Sequence, residues 1–476
     1  MERSIFSNIS PLDHRYSLSE AGVFNGLVPW ISEDASISAC VKAEIALVEA
    51  HLESRGQLTA ELGAALKKAG ESVSPGEVYA EEEKTRHNIR ALVNVLKTKV
   101  PAEAAPLIHL GATSVDILDT SLAYRMQNSA KLVVTPLLKK LALLLCDIAE
   151  READTPQVGR THGQHAVPIT VGFTFAGFLS RIGKSILQIQ VFADDLRGKL
   201  SGAVGAYNAT CMITDDPEKL EELFLNKLGL KPSEHSTQLV EPEHVLRLLL
   251  EYNVCFGIIA HLADDLRNLQ RSEIGELHEE FSHSQVGSST MPQKRNPWNS
   301  EHVKSLWKAF MPRATSFFMD QISEHQRDLS NSASQRFIAD YIAGFCMAAE
   351  RMSGVLQNLV VDKENLTRNL RGGGGIKGGV MAEPAYILLA ESGESRAHEI
   401  IRKITLACEK ENIDFAEGLI REKEIFIKIQ NKMTELKLIK TGETAKDFFN
   451  NPERYNGLSA KKAKTLAAKY RRIMAQ

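Results

Sequence analysis

The sequence predicts an all-α protein in three domains, organised around a central long-helix bundle. Three observations carry that expectation. Five segments keep an apolar stripe at helical spacing over unusual lengths, beginning near Ser121, Thr170, Glu243, Asn299 and Arg336. In the third, Val245, Leu249, Tyr252, Phe256, Ile259, Leu262, Leu266 and Leu269 recur every three or four residues, which lays one apolar face along a helix. Such patterns, unbroken beyond about 25 residues, belong to long bundles more than to compact domains. No convincing alternating strand run and no short-period repeat accompanies them. The bundle is expected over residues 107–358, after a mixed N-terminal domain (1–106) and before a shorter helical domain (359–476). Apolar residues spread around most of a helix surface predict contacts with other subunits, hence an oligomer.

Composition narrows the function. A length of 476 residues allows roughly three domains and a sizeable core. Hydrophobic content of 43% and charged content of 25% fit an ordinary soluble protein. A net charge of −3 gives no bulk attraction to nucleic acid or an acidic membrane, so any anion site must be local. The six cysteines are scattered without a CxxC pair, which predicts reduced thiols in a cytoplasmic compartment. MERSIFSNISPLD has no apolar signal core, and no run is expected to approach the ~18 apolar residues of a membrane span.

The stretch VGSSTMPQKRNP (286–297) breaks the helical pattern. Gly, Ser, Asn and Pro are common helix punctuation. Punctuation alone does not account for two hydroxyls, Ser288 and Ser289, within six residues of Lys294. Further polar islands interrupt the apolar periodicity: SPLDHRY (10–16), EEKTRHNIRAL (82–92), IHLGATSVDILDT (108–120), GRTHGQHAVPITVG around Arg160, STQLVEP (236–242) and HQRDLSNSASQR (325–336). Thr113 or Ser114, followed by Asp116, is also a plausible helix cap. His162 and His165 are three apart, but no thiolate cluster or HExxH supports a metal. A histidine in a dense polar cluster can instead be tuned to exchange protons near neutral pH. Arg327 and Arg336 are nine residues apart, so one unbroken helix would point them in opposite directions. A break at Ser330–Ser332 would let both face one site. With Arg15, Arg86 and Lys294 they form a candidate cation cluster for a polyanionic ligand bearing phosphate and carboxylates. Gly373, Gly375 and Gly378 formally match GxGxxG, but NLTRNLR before them is no strand, so a helix connection is expected there.

These islands, in this order, resemble the fumarase/aspartase superfamily, with GSSTMPQKRNP similar to its signature loop. Within it the chain most resembles the adenylosuccinate lyase family. SPLDHRY is similar to that family's nucleotide-binding motif, TRHN to its TRHD-type motif and RTHGQHAVPITVG to its histidine motif. The matches run from residue 10 to about 336. The resemblance implies a three-domain helical fold, a homotetramer with active sites shared between subunits, and β-elimination of fumarate from succinylated purine nucleotides. It implies no metal and no organic cofactor. By resemblance Ser288 is the general base, His162 the general acid, and Glu301 the carboxylate that orients that histidine. Lys294 and Asn296 would hold the carboxylates. Arg15, Tyr16, Arg86, His87, Asn88, Thr113, Ser114, Gln238, Arg327, Ser332 and Arg336 would contact substrate, with His109 nearby.

Two departures stand out. Asn88 occupies a position where this family usually has aspartate, and Gln293 replaces the histidine of MPHK. MPQK is more typical of argininosuccinate lyases, which makes that family the runner-up. The THGQ and SPLDHRY motifs argue against it. Carboxymuconate cycloisomerase ranks third, and a non-catalytic helical oligomer on the same scaffold ranks low because the acid, base and cation set are all present.

Overall fold

The computed structural model of the chain describes residues 4–281, 287–372 and 375–475. In chain order, the elements that frame the site begin with α1 (Glu33–Ser54), α2 (Pro75–Thr85), α3 (Asn88–Lys97), α4 (Ser114–Ser129) and α5 (Thr135–Arg151). Strands β1 (Pro156–Thr161) and β2 (Gln164–Thr170) follow, then α6 (Val171–Asp194) and α7 (Glu243–Leu269). Next come β3 (Leu277–His278), α8 (Trp298–Phe310), α9 (Ile338–Gln357), β4 (Val360–Val361) and α10 (Lys363–Gly372). The chain forms two compact units. The first comprises Met1–Lys139, Lys184–Gly257 and Ser305–Glu350, and the second Lys140–Gly183, Ile258–Lys304 and Arg351–Gln476.

Helices begin where periodicity predicts them, with one early start, but the long helix expected from near Asn299 runs for only 13 residues, Trp298–Phe310. The segment expected to begin near Ser121 begins at Ser114. Thr113 is its N-cap, and the Thr113 N–H donates to Asp116 Oδ2 at 2.7 Å. The first two turns give a weak hydropathy pattern because polar Asp116, Thr120 and Ser121 are buried beside apolar Val115 and Ile117. Lys199, also fully buried, pairs with Asp116, donates to the Gly202 carbonyl at 3.1 Å, and through its backbone N–H donates to Thr120 Oγ1 at 3.1 Å. A π-helical turn at Ala130–Val134 then joins α4 to α5, just ahead of Pro136, which has no N–H to give to a regular ladder.

Aromatic packing fills the first unit. Tyr252 of α7 stacks on Phe345 of α9 at 5.3 Å between ring centroids, and Phe256 meets the same ring at 5.5 Å. Contrary to expectation, α7 is long and apolar enough to cross a membrane, with a mean hydropathy of 1.5 over its best window. More than half of that window is buried inside the protein, as in a bundle-core helix.

Strands are present where none was expected. Among the described residues three two-stranded sheets occur: β1 antiparallel to β2, β3 antiparallel to β4, and Arg197–Gly198 parallel to Lys231–Pro232. The β1–β2 hairpin escaped a period-two reading because its register shifts between Val158 and Arg160. The irregularity at Gly159 breaks the alternation that would have announced it. In the second unit Val158 joins an apolar cluster with Leu370, Met381, Leu389, Phe415 and Phe449. That contact seats the base of the hairpin.

Of the GxGxxG match, Gly373 lies outside the described residues, and so does Val286 of the 286–297 stretch. Gly375 and Gly378 follow α10, a helix rather than a strand, so the dinucleotide reading fails on its first requirement.

Candidate active site

In the second unit His162 sits at the tip of the β1–β2 hairpin. Thr161 pairs with Gln164, leaving His162 and Gly163 as a two-residue loop with φ of 54° and 75°. Two positive φ values match the type I′ turn favoured between twisted strands. Glycine accepts this conformation freely, whereas a histidine in it is strained by ~1–3 kcal/mol. The imidazole is therefore exposed at a tightly fixed point of the backbone.

The 287–297 segment lies in the same unit. Ser288 Oγ accepts hydrogen bonds from the Met291 N–H at 3.1 Å and the Thr290 N–H at 3.3 Å. Asn296 Nδ2 donates to the Gly287 carbonyl at 2.9 Å and closes the segment on itself. A Cβ on Gly287 would lie 2.1 Å from the Lys294 carbonyl oxygen, so only glycine fits there. Lys294 and Gln293 are exposed, and Glu301 is exposed in the first turn of α8. Among the described residues neither the His162 imidazole nor the Glu301 carboxylate has a hydrogen-bond partner, so the structure does not join these two.

The first unit holds the remaining candidates. Ser10 caps the turn Pro11–Asp13, which leads into the short helix Arg15–Ser19 that presents Arg15 and Tyr16. Arg86 ends α2 in the left-handed region, at φ 55°. His87 caps α3 by accepting from the Arg90 N–H at 3.3 Å, while its Nε2 faces Ser114 Oγ at 3.5 Å. That contact brings the TRHN and ATSVD motifs together. Asn88 Oδ1 accepts from the neighbouring Ile89 N–H at 2.7 Å. Arg327 Nη1 donates to Gln238 Oε1 at 3.0 Å, which joins STQLVEP to HQRDLSN. Between Arg327 and Arg336 the chain runs through turns and the 3-10 turn Ser334–Phe337, so the expected helix break is present. Ser332 and Arg336 are exposed.

His109 was expected only to lie near the site, while its partner Glu44 and the carboxylate of Asp119 were not singled out from sequence. His109, at φ 61°, bonds through Nδ1 to Glu44 Oε1 at 2.7 Å, and Glu44 is fully buried. Asp119 Oδ2 accepts from the Val240 N–H at 3.0 Å, two residues beyond Gln238. Burial pushes the Asp119 carboxyl up to about 6 against the opposing pull of that N–H, Lys199 and Arg327. Nothing local marks these carboxylates, because each acts on a distant segment.

A long-helix fold that carries a serine–lysine segment and an exposed histidine defines the class: a lyase of the fumarase/aspartase type. Residues 23–309 match the lyase family model, and residues 323–440 match the adenylosuccinate lyase C-terminal model. The chain is 34% identical to the adenylosuccinate lyase of Pyrococcus abyssi over 87% of its length and 90% of that relative's. It is 33% identical to the adenylosuccinate lyase of Archaeoglobus fulgidus over 88% and 91%. The chain belongs to the adenylosuccinate lyase family. Its fold is shared with the 3-carboxy-cis,cis-muconate lactonizing enzyme of Pseudomonas putida, with a TM-score of 0.79, 24% identity, and coverage of 95% of this chain and 98% of that one. A fumarate lyase from Mesorhizobium sp. BNC1 also has a TM-score of 0.79, at 21% identity and coverage of 93% and 97%.

Proposed function

We propose that the protein splits adenylosuccinate into AMP and fumarate by β-elimination, and splits the succinylated aminoimidazole carboxamide ribotide in the same way. The observation that carries the chemistry is the pair of backbone N–H groups donating to Ser288 Oγ. A serine hydroxyl is a poor base. Donors aimed at its oxygen favour the alkoxide, and Lys294 adds positive charge on the same segment. The alkoxide takes the proton from the carbon beside a carboxylate. Negative charge then grows on that carboxylate, where Lys294 and Asn296 stabilise it; one such donor is worth ~3–4 kcal/mol. His162 gives a proton to the leaving nitrogen as its bond to carbon breaks, and fumarate departs. Glu301 orients and charges His162.

Arg15, Tyr16, Arg86, His87, Asn88, Thr113, Ser114, Gln238, Arg327, Ser332 and Arg336 bind the nucleotide and succinyl groups. Its four arginines offer planar donors suited to phosphate and carboxylate. The acting assembly is a cytoplasmic homotetramer with active sites shared between subunits. Two features support that reading: His162 and Glu301 lack partners among the described residues, and α6 and α7 expose Leu187, Val191 and Val254. The three-domain division at residues 106 and 358 belongs to the same reading.

The test is ultraviolet absorbance with adenylosuccinate, argininosuccinate and aspartate supplied separately. Cleavage of adenylosuccinate is expected, and cleavage of argininosuccinate alone would overturn the assignment.

A further inference from the structure

Two of the buried carboxylates in the second unit lie beside the pieces that present His162 and Ser288, and the proposed chemistry gives them no role. Glu276 is 0% exposed and Glu279 7%. A buried carboxylate persists only when its oxygens are well supplied with donors. Glu276 takes two bonds from the Arg160 guanidinium, at 3.0 and 2.5 Å, and one each from Gln157 Nε2 and Asn369 Nδ2 at 2.9 Å. Gln157 and Arg160 both lie on β1, and Arg160 is two residues before His162.

Glu279 is supplied by the opposite flank of the signature segment. It accepts from the Asn299 and Ser300 N–H groups at 3.3 and 2.8 Å, from Asn299 Nδ2 at 2.9 Å and from Ser300 Oγ at 2.7 Å. Gln270 adds a second tie. Its Oε1 accepts from the Glu279 N–H at 2.9 Å while its Nε2 donates to the Arg295 carbonyl at 3.2 Å.

Between the two carboxylates, β3 pairs with β4 and Leu277 is fully buried, so the segment is itself pinned. In extended chain, residues three apart point to opposite sides, which sends one carboxylate toward each catalytic piece.

We propose that Glu276 and Glu279 are positioning residues: Glu276 fixes the hairpin that presents His162, and Glu279 fixes the segment that presents Ser288 and Lys294. This rests on the roles proposed above for those three residues. Neither carboxylate touches substrate; each acts through the backbone it holds.

Glu279→Gln and Glu276→Gln, made in the full chain, test this. A misplacement near 1 Å costs ~10²-fold in rate, so kcat should fall by about that factor with KM within about threefold. The two variants should then differ in which step slows. With adenylosuccinate deuterated at the carbon that loses its proton, Glu279→Gln should show an enlarged primary isotope effect. Glu276→Gln should show no such increase but a larger solvent isotope effect, because protonation of nitrogen is the step it disturbs. If either variant fails to fold, Ser300→Ala and Gln157→Ala each remove a single donor, and should give the same isotope signatures with smaller losses in kcat. Folded variants with wild-type kcat and unchanged isotope effects would overturn the proposal alone. A wild-type chain inert toward adenylosuccinate would overturn the functional reading, and this proposal with it.

Discussion

A serine is an improbable base until its surroundings are counted, and Ser288 has two N–H groups directed at its oxygen. His162→Ala and Ser288→Ala should each lower turnover by ~10²-fold or more with assembly intact. Near-normal steady-state rates in either would remove that residue from the mechanism. Asp119 makes a different prediction, about stability. Its carboxyl is raised from 3.8 to about 6 in the folded protein. The fold therefore holds its proton more tightly than the unfolded chain does, and stability falls as pH rises from ~4 to ~6, by on the order of 2–3 kcal/mol. Asp119→Asn escapes that loss. Its melting temperature relative to wild type should be higher at pH 8 than at pH 4.5, and an equal difference at both pH values would show that Asp119 carries no such burden. Ser288, Lys294 and His162 could be picked out as candidates in sequence because their motifs are short and chemically distinctive. Glu276 was not: its guanidinium partner is 116 residues away, and an acidic residue reads as solvated until that partner is known.

At the scale of elements, helical periodicity located the long helices, and polar motifs located the loops between them. The reading failed where local pattern and local structure part company. α4 starts seven residues before the expected Ser121, where polar residues share the core face and a buried lysine pairs with Asp116. The hairpin that presents His162 has a shifted register, so its strands do not alternate. Backbone proximity is equally invisible in a string of letters, yet it makes Gly287 irreplaceable. Gly287→Ala would force a Cβ against the Lys294 carbonyl and reopen the segment. Turnover should fall by ~10²-fold while the melting temperature changes little, since the segment is exposed. An alanine variant with wild-type kcat would show that the closed form of this segment is not the working one.

At the scale of the whole molecule, the candidate residues divide between two compact units. Ser288, Lys294, Asn296, Glu301 and His162 belong to one, and the arginines, His87 and Gln238 to the other. If active sites are shared between subunits, a mixture of His162→Ala and Ser288→Ala chains should recover part of the lost activity. Absence of recovery, with subunit exchange demonstrated by native mass spectrometry, would count against shared sites.

By itself the sequence determined the helical class, the family and the chemical types available at the site. All three rest on information held within short windows: apolar spacing that matches the helix repeat, and motifs whose residues lie close together in the chain. Tertiary structure decided how those groups are held. Which carboxylates are buried, which donors satisfy them, where a strand shifts register and where only glycine fits all depend on segments brought together from far apart. A buried charge must find its partner wherever the fold supplies one, and linear order does not reveal where that is.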